Sequence, residues 1–165
     1  PVLDKFMTSV TKLGNAGIFW IILTVLFLLI PKMRKTGVVM AAALIIDLLL
    51  CNVLLKNLVA RTRPYDVNTG IQLRVAKLRD YSFPSGHTAA SFASAAALYF
   101  AGEKKLWKPA LVLACLIAVS RLYLYVHYPT DVLGGVVIGI IAGYLGYRLV
   151  KVLEDKFSRM KNGGE

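Results

Sequence analysis

Five blocks of almost unbroken apolar residues, 16–30, 37–55, 88–101, 109–125 and 132–150, alternate with stretches in which the charged residues collect, all short except 56–87. Within the blocks, apolar and polar positions follow neither a strand's period of two nor the one-sided stripe of a surface helix. Helices that are apolar all round fit better, and most of the blocks approach the roughly 20 residues that cross a bilayer. The pattern predicts an all-α, polytopic transmembrane helix bundle with five spans. The first has room to begin nearer Leu13, and the third, short by itself, starts below the membrane surface or continues through Gly102. Ahead of the first block, Val2, Leu3, Phe6, Val10 and Leu13 fall roughly on one helical face. That segment reads either as an N-terminal interfacial helix or as the end of a truncated sixth span. A single domain, 1–165, is expected: an interfacial segment 1–15, a bundle 16–150 and a basic tail 151–165.

Composition agrees with a membrane protein: 57% of residues are hydrophobic and 18% charged, with mean hydropathy +0.62. The opening "PVLDKFMTSVTKLGNAG" carries an acid and no small-residue cleavage site, so it is not a secretory signal peptide. Without an initiating Met, it is expected to lack some N-terminal residues. Cys51 and Cys115 both fall inside spans and read as small apolar packers.

A net charge of +11 suggests nucleic acid at first sight. The basic residues, however, gather in short inter-span loops, where topology selection puts them, and no nucleic-acid partner is expected. With five spans, residues 31–36, 102–108 and the tail share one face. Together with Arg148 that face carries Lys32, Arg34, Lys35, Lys104, Lys105, Lys108, Lys151, Lys156, Arg159 and Lys161, and is read as cytoplasmic. The other face holds nearly as many basic residues, among them Lys56, Arg61, Arg63 and Arg121. Those need another job.

Three polar constellations supply it. In "KNLVARTRPYD" (56–66), Lys56 and Arg63 stand about two helical turns apart on one face, with Pro64 ending the helix. In "YSFPSGHTAAS" (81–91), Ser85 is placed to N-cap a helix whose free N–H groups and positive dipole end favour an anion, with Gly86 admitting a ligand to the backbone and His87 in the first turn. In "SRLYLYVHYPTD" (120–131), Pro129 suits the start of a new helix and Asp131, four residues after His127, can hold one imidazole nitrogen and leave the other free. Arg121 adds a fork suited to phosphate oxygens. Singly these read as well as snorkelling cations, a capped helix and a His–Asp pair ordering a loop. Jointly, three span ends on one face deliver two histidines, an aspartate, a lysine and two arginines, whose simplest common target is an anion of charge near −2, such as phosphate. No third histidine, acidic pair or Cys–His spacing supplies a divalent-metal cage, so no metal or other cofactor is expected.

These residues resemble the tripartite signature of the type 2 phosphatidic acid phosphatase superfamily, whose lipid phosphatases share a core with vanadium haloperoxidases and glucose-6-phosphatase. The matching residues are Lys56 with Arg63-Pro64, then Pro84-Ser85-Gly86-His87, then Ser120-Arg121 with His127 and Asp131, in order and at the family's spacing. The resemblance implies that His127 is the nucleophile forming a phosphohistidine, Asp131 its orienting partner and His87 the general acid. It also implies that Lys56, Arg63, Ser85, Gly86 and Arg121 hold the phosphoryl oxygens. A six-helix bundle is usual in the small integral-membrane members.

The expected substrate is a lipid phosphate or diphosphate reached from the membrane at the extracytoplasmic face, with the C-terminus cytoplasmic. Undecaprenyl (polyprenyl) diphosphate comes first, with phosphatidic acid and phosphatidylglycerol phosphate as alternatives. A vanadate-dependent peroxidase would be larger and soluble, and a non-catalytic lipid carrier would not need this geometry. Helix three, rich in Ala and Ser, and helix five, with Gly135, Gly139 and Gly143 at four-residue spacing, are expected near the bundle centre. Homodimer packing through Gly139 and Gly143 is the alternative for those glycines. Asp47, in mid-span, either hydrogen-bonds a neighbouring helix or assists the site, and at nine residues from Lys56 it is read as structural.

Overall fold

The computed structural model describes residues 2–162, and every regular element among them is helical. Eight α-helices follow in order: α1 (Val2–Leu13), α2 (Ile18–Leu29), α3 (Arg34–Asp47), α4 (Lys56–Val59), α5 (Pro64–Val67), α6 (Gly86–Phe100), α7 (Trp107–Tyr123) and α8 (Pro129–Asn162). Between α3 and α4 the helix is widened without being broken. Leu48–Leu55 is π-helical, and the Lys56 N–H donates to the Cys51 carbonyl, five residues back.

Small residues decide which helices meet. Ala89, Ser91, Ala93, Ser94 and Ala97 are buried on α6, which packs most extensively against α8 and then against α7 and α3. The facing side of α8 is the glycine ladder. A Cβ on Gly135 would lie 2.7 Å from the Ser85 carbonyl oxygen, one on Gly143 would lie 2.5 Å from Ala96 Cβ, and one on Gly139 would run into the Ala89 carbonyl and Phe92. With no side chain between them the backbones approach closely, as helices must where lipid gives no hydrophobic drive for association. Both helices are central, and the glycines that homodimer packing would have used are spent inside the chain.

Large apolar residues cover the outside. Ile18, Ile21, Ile22, Val25, Leu26 and Leu29 are exposed on α2, and Leu133, Val137, Ile140 and Ile141 on α8. Exposed apolar bands of this extent mark a membrane-embedded protein. The span count differs from the sequence expectation. Among the described residues two helices, Pro31–Val67 and Pro129–Lys161, are long and apolar enough to cross a bilayer, and α1 with α2 makes a third only if the pair, bent by 46°, is one span. The 15 residues of α6 and the 17 of α7 fall short of the roughly 20 required. α6 can be short because protein surrounds it, so its ends need not satisfy themselves in lipid. The N-terminal segment is helical as expected, and α1 packs against α7 with Val10 and Thr11 buried.

At the end of the bundle away from the three constellations, Lys35 Nζ bonds Glu154 Oε2 at 2.6 Å and Thr36 Oγ1 donates to Glu103 Oε1 at 2.6 Å. Residues 31–36, 102–108 and the start of the tail therefore share one face. α8 continues past Val150 to Asn162.

Gly139→Leu is expected to lower stability in detergent by about 1–3 kcal/mol through overpacking of the α6–α8 seam, read as a fall in melting temperature beside a neutral Gly70→Ala control. An unchanged melting temperature with an altered oligomeric state would instead assign the ladder to a second copy.

Candidate active site

Two non-glycine residues in left-handed conformation shape the site. Ala60, at φ 48°, ends α4, and Tyr125, at φ 58°, precedes His127. Such backbone costs of order 1 kcal/mol or more and persists where the surroundings enforce it. Lys56 and Arg63 consequently do not share a helix. The chain turns at Ala60, and Arg63 sits in extended backbone as the N-cap of α5, which Pro64 begins. Pro64 starts a helix here, whereas the sequence suggested that it ends one.

Lys56 and Arg63 are buried, and they converge on Asp80 from the loop before α6. Lys56 Nζ pairs with Asp80 Oδ2, while Arg63 Nη2 donates to Oδ1 at 2.6 Å and Nε to the Asp80 carbonyl at 2.8 Å. Tyr65 steadies this loop by donating to the Leu78 carbonyl and accepting from the Leu78 N–H, both at 3.0 Å. Burial opposes the Asp80 charge, but the hydrogen bond and charge of Lys56, joined by Arg63, outweigh it and bring the carboxyl down to about 2. A carboxylate thus sits between two cations expected to hold phosphate.

His127 occupies the turn between α7 and α8, buried beside Arg63. Its Nε2 lies 3.3 Å from Arg63 Nη1. Arginine has no acceptor, so in this contact Nε2 carries the lone pair and the ring proton belongs on Nδ1. That nitrogen points toward Asp131 Oδ2 at 3.6 Å, too far for a hydrogen bond, and has no other partner. The gap has a cause. Oδ2 already accepts from Ser82 Oγ at 2.5 Å and the Tyr128 N–H at 2.9 Å, while Arg61 Nη1 donates to Oδ1 at 2.8 Å. Arg61 also lies 3.9 Å over the Tyr128 ring. Asp131 is fixed chiefly by these three residues.

Ser85 stands at the N-cap of α6, but its hydroxyl makes no capping bond and accepts from Thr88 Oγ1 at 3.0 Å. Its N–H donates to the Asp131 carbonyl at 3.0 Å, tying the second constellation to the third. His87 donates from Nε2 to Asn15 Oδ1 at 2.9 Å, with Gly14 against the ring, where a Cβ would come within 2.8 Å of Cδ2. Arg121, buried at the end of α7, donates from Nη1 to Thr11 Oγ1 and leaves Nε without a partner. The charges of Arg121, Lys56 and Arg63 also bear on His87.

All eight residues singled out from the sequence stand in or beside this cluster. Thr11, Asn15, Arg61, Asp80 and Ser82 join them, of which the sequence had marked only Arg61, as a basic residue on this face. Arg61 could have been suspected from its place two residues before Arg63, but nothing local to Thr11 or Asn15 points to a site some seventy or more residues away. Among the described residues no group of three or more His, Cys, Asp or Glu side chains could hold a metal ion.

A cavity of about 640 Å³ opens from the cluster. Lys56, Asp80, Gly86 and His87 line its polar end, while Ile21, Val25, Leu28, Leu44 and Ile45 line a groove between α2 and α3. Ile21, Val25 and Ile45 are also about half exposed, so the groove opens sideways to the apolar surface.

The helical bundle thus brings together at one end the Lys–Arg, Ser–Gly–His and Arg–His–Asp residues that carried the resemblance in the sequence. The family model described as "PAP2 superfamily" matches residues 36–155, and the chain belongs to that family, as a membrane phosphatase acting on phosphoric esters. It is 31% identical to an undecaprenyl-diphosphatase of Sulfolobus acidocaldarius over 89% of this chain and 70% of the relative. Against the undecaprenyl-diphosphatase BcrC of Bacillus subtilis it is also 31% identical, over 92% and 77%. Of solved structures, Aquifex aeolicus LpxE superposes with TM-score 0.78 at 29% identity, covering 90% of this chain and 87% of that one. The transmembrane PAP2-type phosphatidylglycerolphosphate phosphatase of Bacillus subtilis gives TM-score 0.70 at 31% identity, over 94% and 78%.

Two outcomes are expected. Asp80→Asn should tighten vanadate binding severalfold by calorimetry, because the anion no longer has to displace a carboxylate; weaker binding would make Asp80 a holder of Lys56 and Arg63. Burial, and after it the charges of Arg63 and Arg121, push His127 from its ordinary 6.5 to about 4 against the upward pull of Asp131. The unfolded chain therefore takes up this proton first, and His127 withdraws stability as pH falls from 6.5 toward 4. NMR of ¹⁵N-labelled histidine should find the ring neutral at pH 6; a protonated ring there would contradict the buried environment.

Proposed function

We propose that this chain is a metal-independent membrane lipid phosphatase that works through a phosphohistidine. The observation that carries the reading is the set of buried cations at the mouth of an apolar groove, with the lone pair of His127 Nε2 directed among them. Lys56, Arg63 and Arg121, with Ser85 and the Gly86 backbone, hold the phosphoryl oxygens after Asp80 yields its place. Nε2 of His127 attacks phosphorus while the bond to the leaving oxygen breaks. The Nδ1 proton closes on Asp131, which stabilises the cationic ring. His87, whose protonated form the bound dianion favours, hands a proton to the leaving oxygen. It then takes one from the water that cleaves the N–P bond, releasing phosphate and restoring His127. Fixed cations aimed at the developing charge carry most of the rate, since phosphoryl transfer asks a protein mainly for positioning.

The groove beside the seat suits a hydrocarbon chain entering from the bilayer. Undecaprenyl diphosphate is the first substrate on this reading, by similarity to the relatives that bear that name, with phosphatidic acid and phosphatidylglycerol phosphate as its competitors. The site lies at the extracytoplasmic face and the C-terminus in the cytoplasm, supported by the basic residues of the far loops and tail. The whole chain acts as one domain.

Phosphate release by purified protein in detergent with EDTA, offered the three lipids in parallel, tests this. Release from at least one is expected, falling about a thousandfold or more in His127→Ala and strongly in His87→Ala. Release that depends on added metal, or that survives His127→Ala, would overturn the mechanism.

A further inference from the structure

Asp47 lies in the wall of the tail groove, 2% exposed, and its Oδ1 has no hydrogen-bond partner. A buried carboxyl oxygen left unpaired among apolar side chains is costly, and a groove meant only for hydrocarbon has no use for one. By α-helical periodicity Asp47 would not face the groove beside Lys56 at all. Nine residues at about 3.6 per turn make two and a half turns, which puts the two on opposite sides. The π-helical run Leu48–Leu55 removes that half turn. At about 4.4 residues per turn, nine residues make close to two turns, and Asp47, Asn52 and Lys56 come into line along the same cavity. Asn52 lies between the other two against Gly86, where its Oδ1 would be 2.9 Å from a Cβ on that glycine.

We infer that Asp47 and Asn52 form a polar subsite below the phosphate seat, which takes a hydrogen-bond donor carried by the lipid between its scissile phosphate and its hydrocarbon tail. The ligand class is a lipid phosphate whose linker bears a free hydroxyl or N–H, as a glycerol or sugar linker does. The donor fills the vacant acceptor at Asp47, and the Asn52 carboxamide bonds the neighbouring linker oxygens. This rests on the lipid phosphatase reading and, among its candidate lipids, favours one with a donor in the linker over bare polyprenyl chains, which offer Asp47 nothing.

The test uses a pair of lipids differing in one group: 1-oleoyl lysophosphatidic acid and its analogue lacking the 2-hydroxyl. Wild-type protein should hydrolyse the hydroxyl-bearing lipid with kcat/KM about tenfold higher, the usual scale for a hydrogen bond to a buried polar acceptor. Asp47→Leu should bring that ratio close to one, and Asn52→Ala should reduce it. Melting temperature, read on His127→Ala with each lipid, should rise more with the hydroxyl-bearing one, and this difference too should vanish in Asp47→Leu/His127→Ala. A ratio near one in wild type, or a ratio unmoved by Asp47→Leu, overturns the subsite while leaving the phosphatase reading intact. If neither lipid is hydrolysed, the phosphatase reading fails for this class. The melting shifts then decide the subsite alone: equal shifts overturn it and a larger hydroxyl-dependent shift supports it.

Discussion

Burying several cations close together at the end of a membrane helix bundle is costly, and that cost organises this protein. Lys56, Arg63 and Arg121 are all nearly inaccessible, so none can discharge its field into water. One carboxylate, Asp80, bridges two of them, and Arg121 Nε remains without a partner. The cluster therefore has more positive charge than its own residues answer, and a dianion meets that demand better than an aspartate does. The resting site is stabilised less than it could be, and the surplus is what makes it bind.

Holding such a cluster together requires a rigid frame. Close contact between α6 and α8 brings Ser85 against the start of α8, where its N–H meets the Asp131 carbonyl. The turns at Ala60 and Tyr125 bring in Arg63 and His127 from two further helix ends at the expense of unfavourable backbone. From the N-terminus, Thr11 and Asn15 reach Arg121 and His87, so the segment that resembles a surface helix also positions two site residues. The groove between α2 and α3 joins this frame to the lipid phase.

Much of the site was legible in the sequence because its chemistry is local: Pro-Ser-Gly-His before a small-residue helix, or His and Asp four apart, carry their geometry with them. The glycine ladder also announced a close helix contact, though only the structure shows α6 filling it. Asp47 could not be placed beside Lys56 from the sequence, because "LLLCNVLL" looks like an ordinary α-helix and only the π-helical widening brings the two to one cavity. Lys56 and Arg63 were brought together for the wrong reason, a shared helix, when a left-handed Ala60 does the work. The spans were overcounted because apolar composition reports burial in protein as readily as burial in lipid, and α6 is buried in protein. Asp80 and Ser82 could not be ranked among the other polar loop residues without knowing which loops meet.

The most direct measurement is to mix the protein with a lipid substrate labelled in its scissile phosphate, quench within the first turnover under alkaline conditions that preserve phosphoramidates, and map the label by mass spectrometry. A transient phosphoryl group on His127, absent from His127→Ala and accumulating in a His87 variant slowed in hydrolysis, is the expected result. Turnover with no label on the protein, or label on a different side chain, would contradict catalysis through His127.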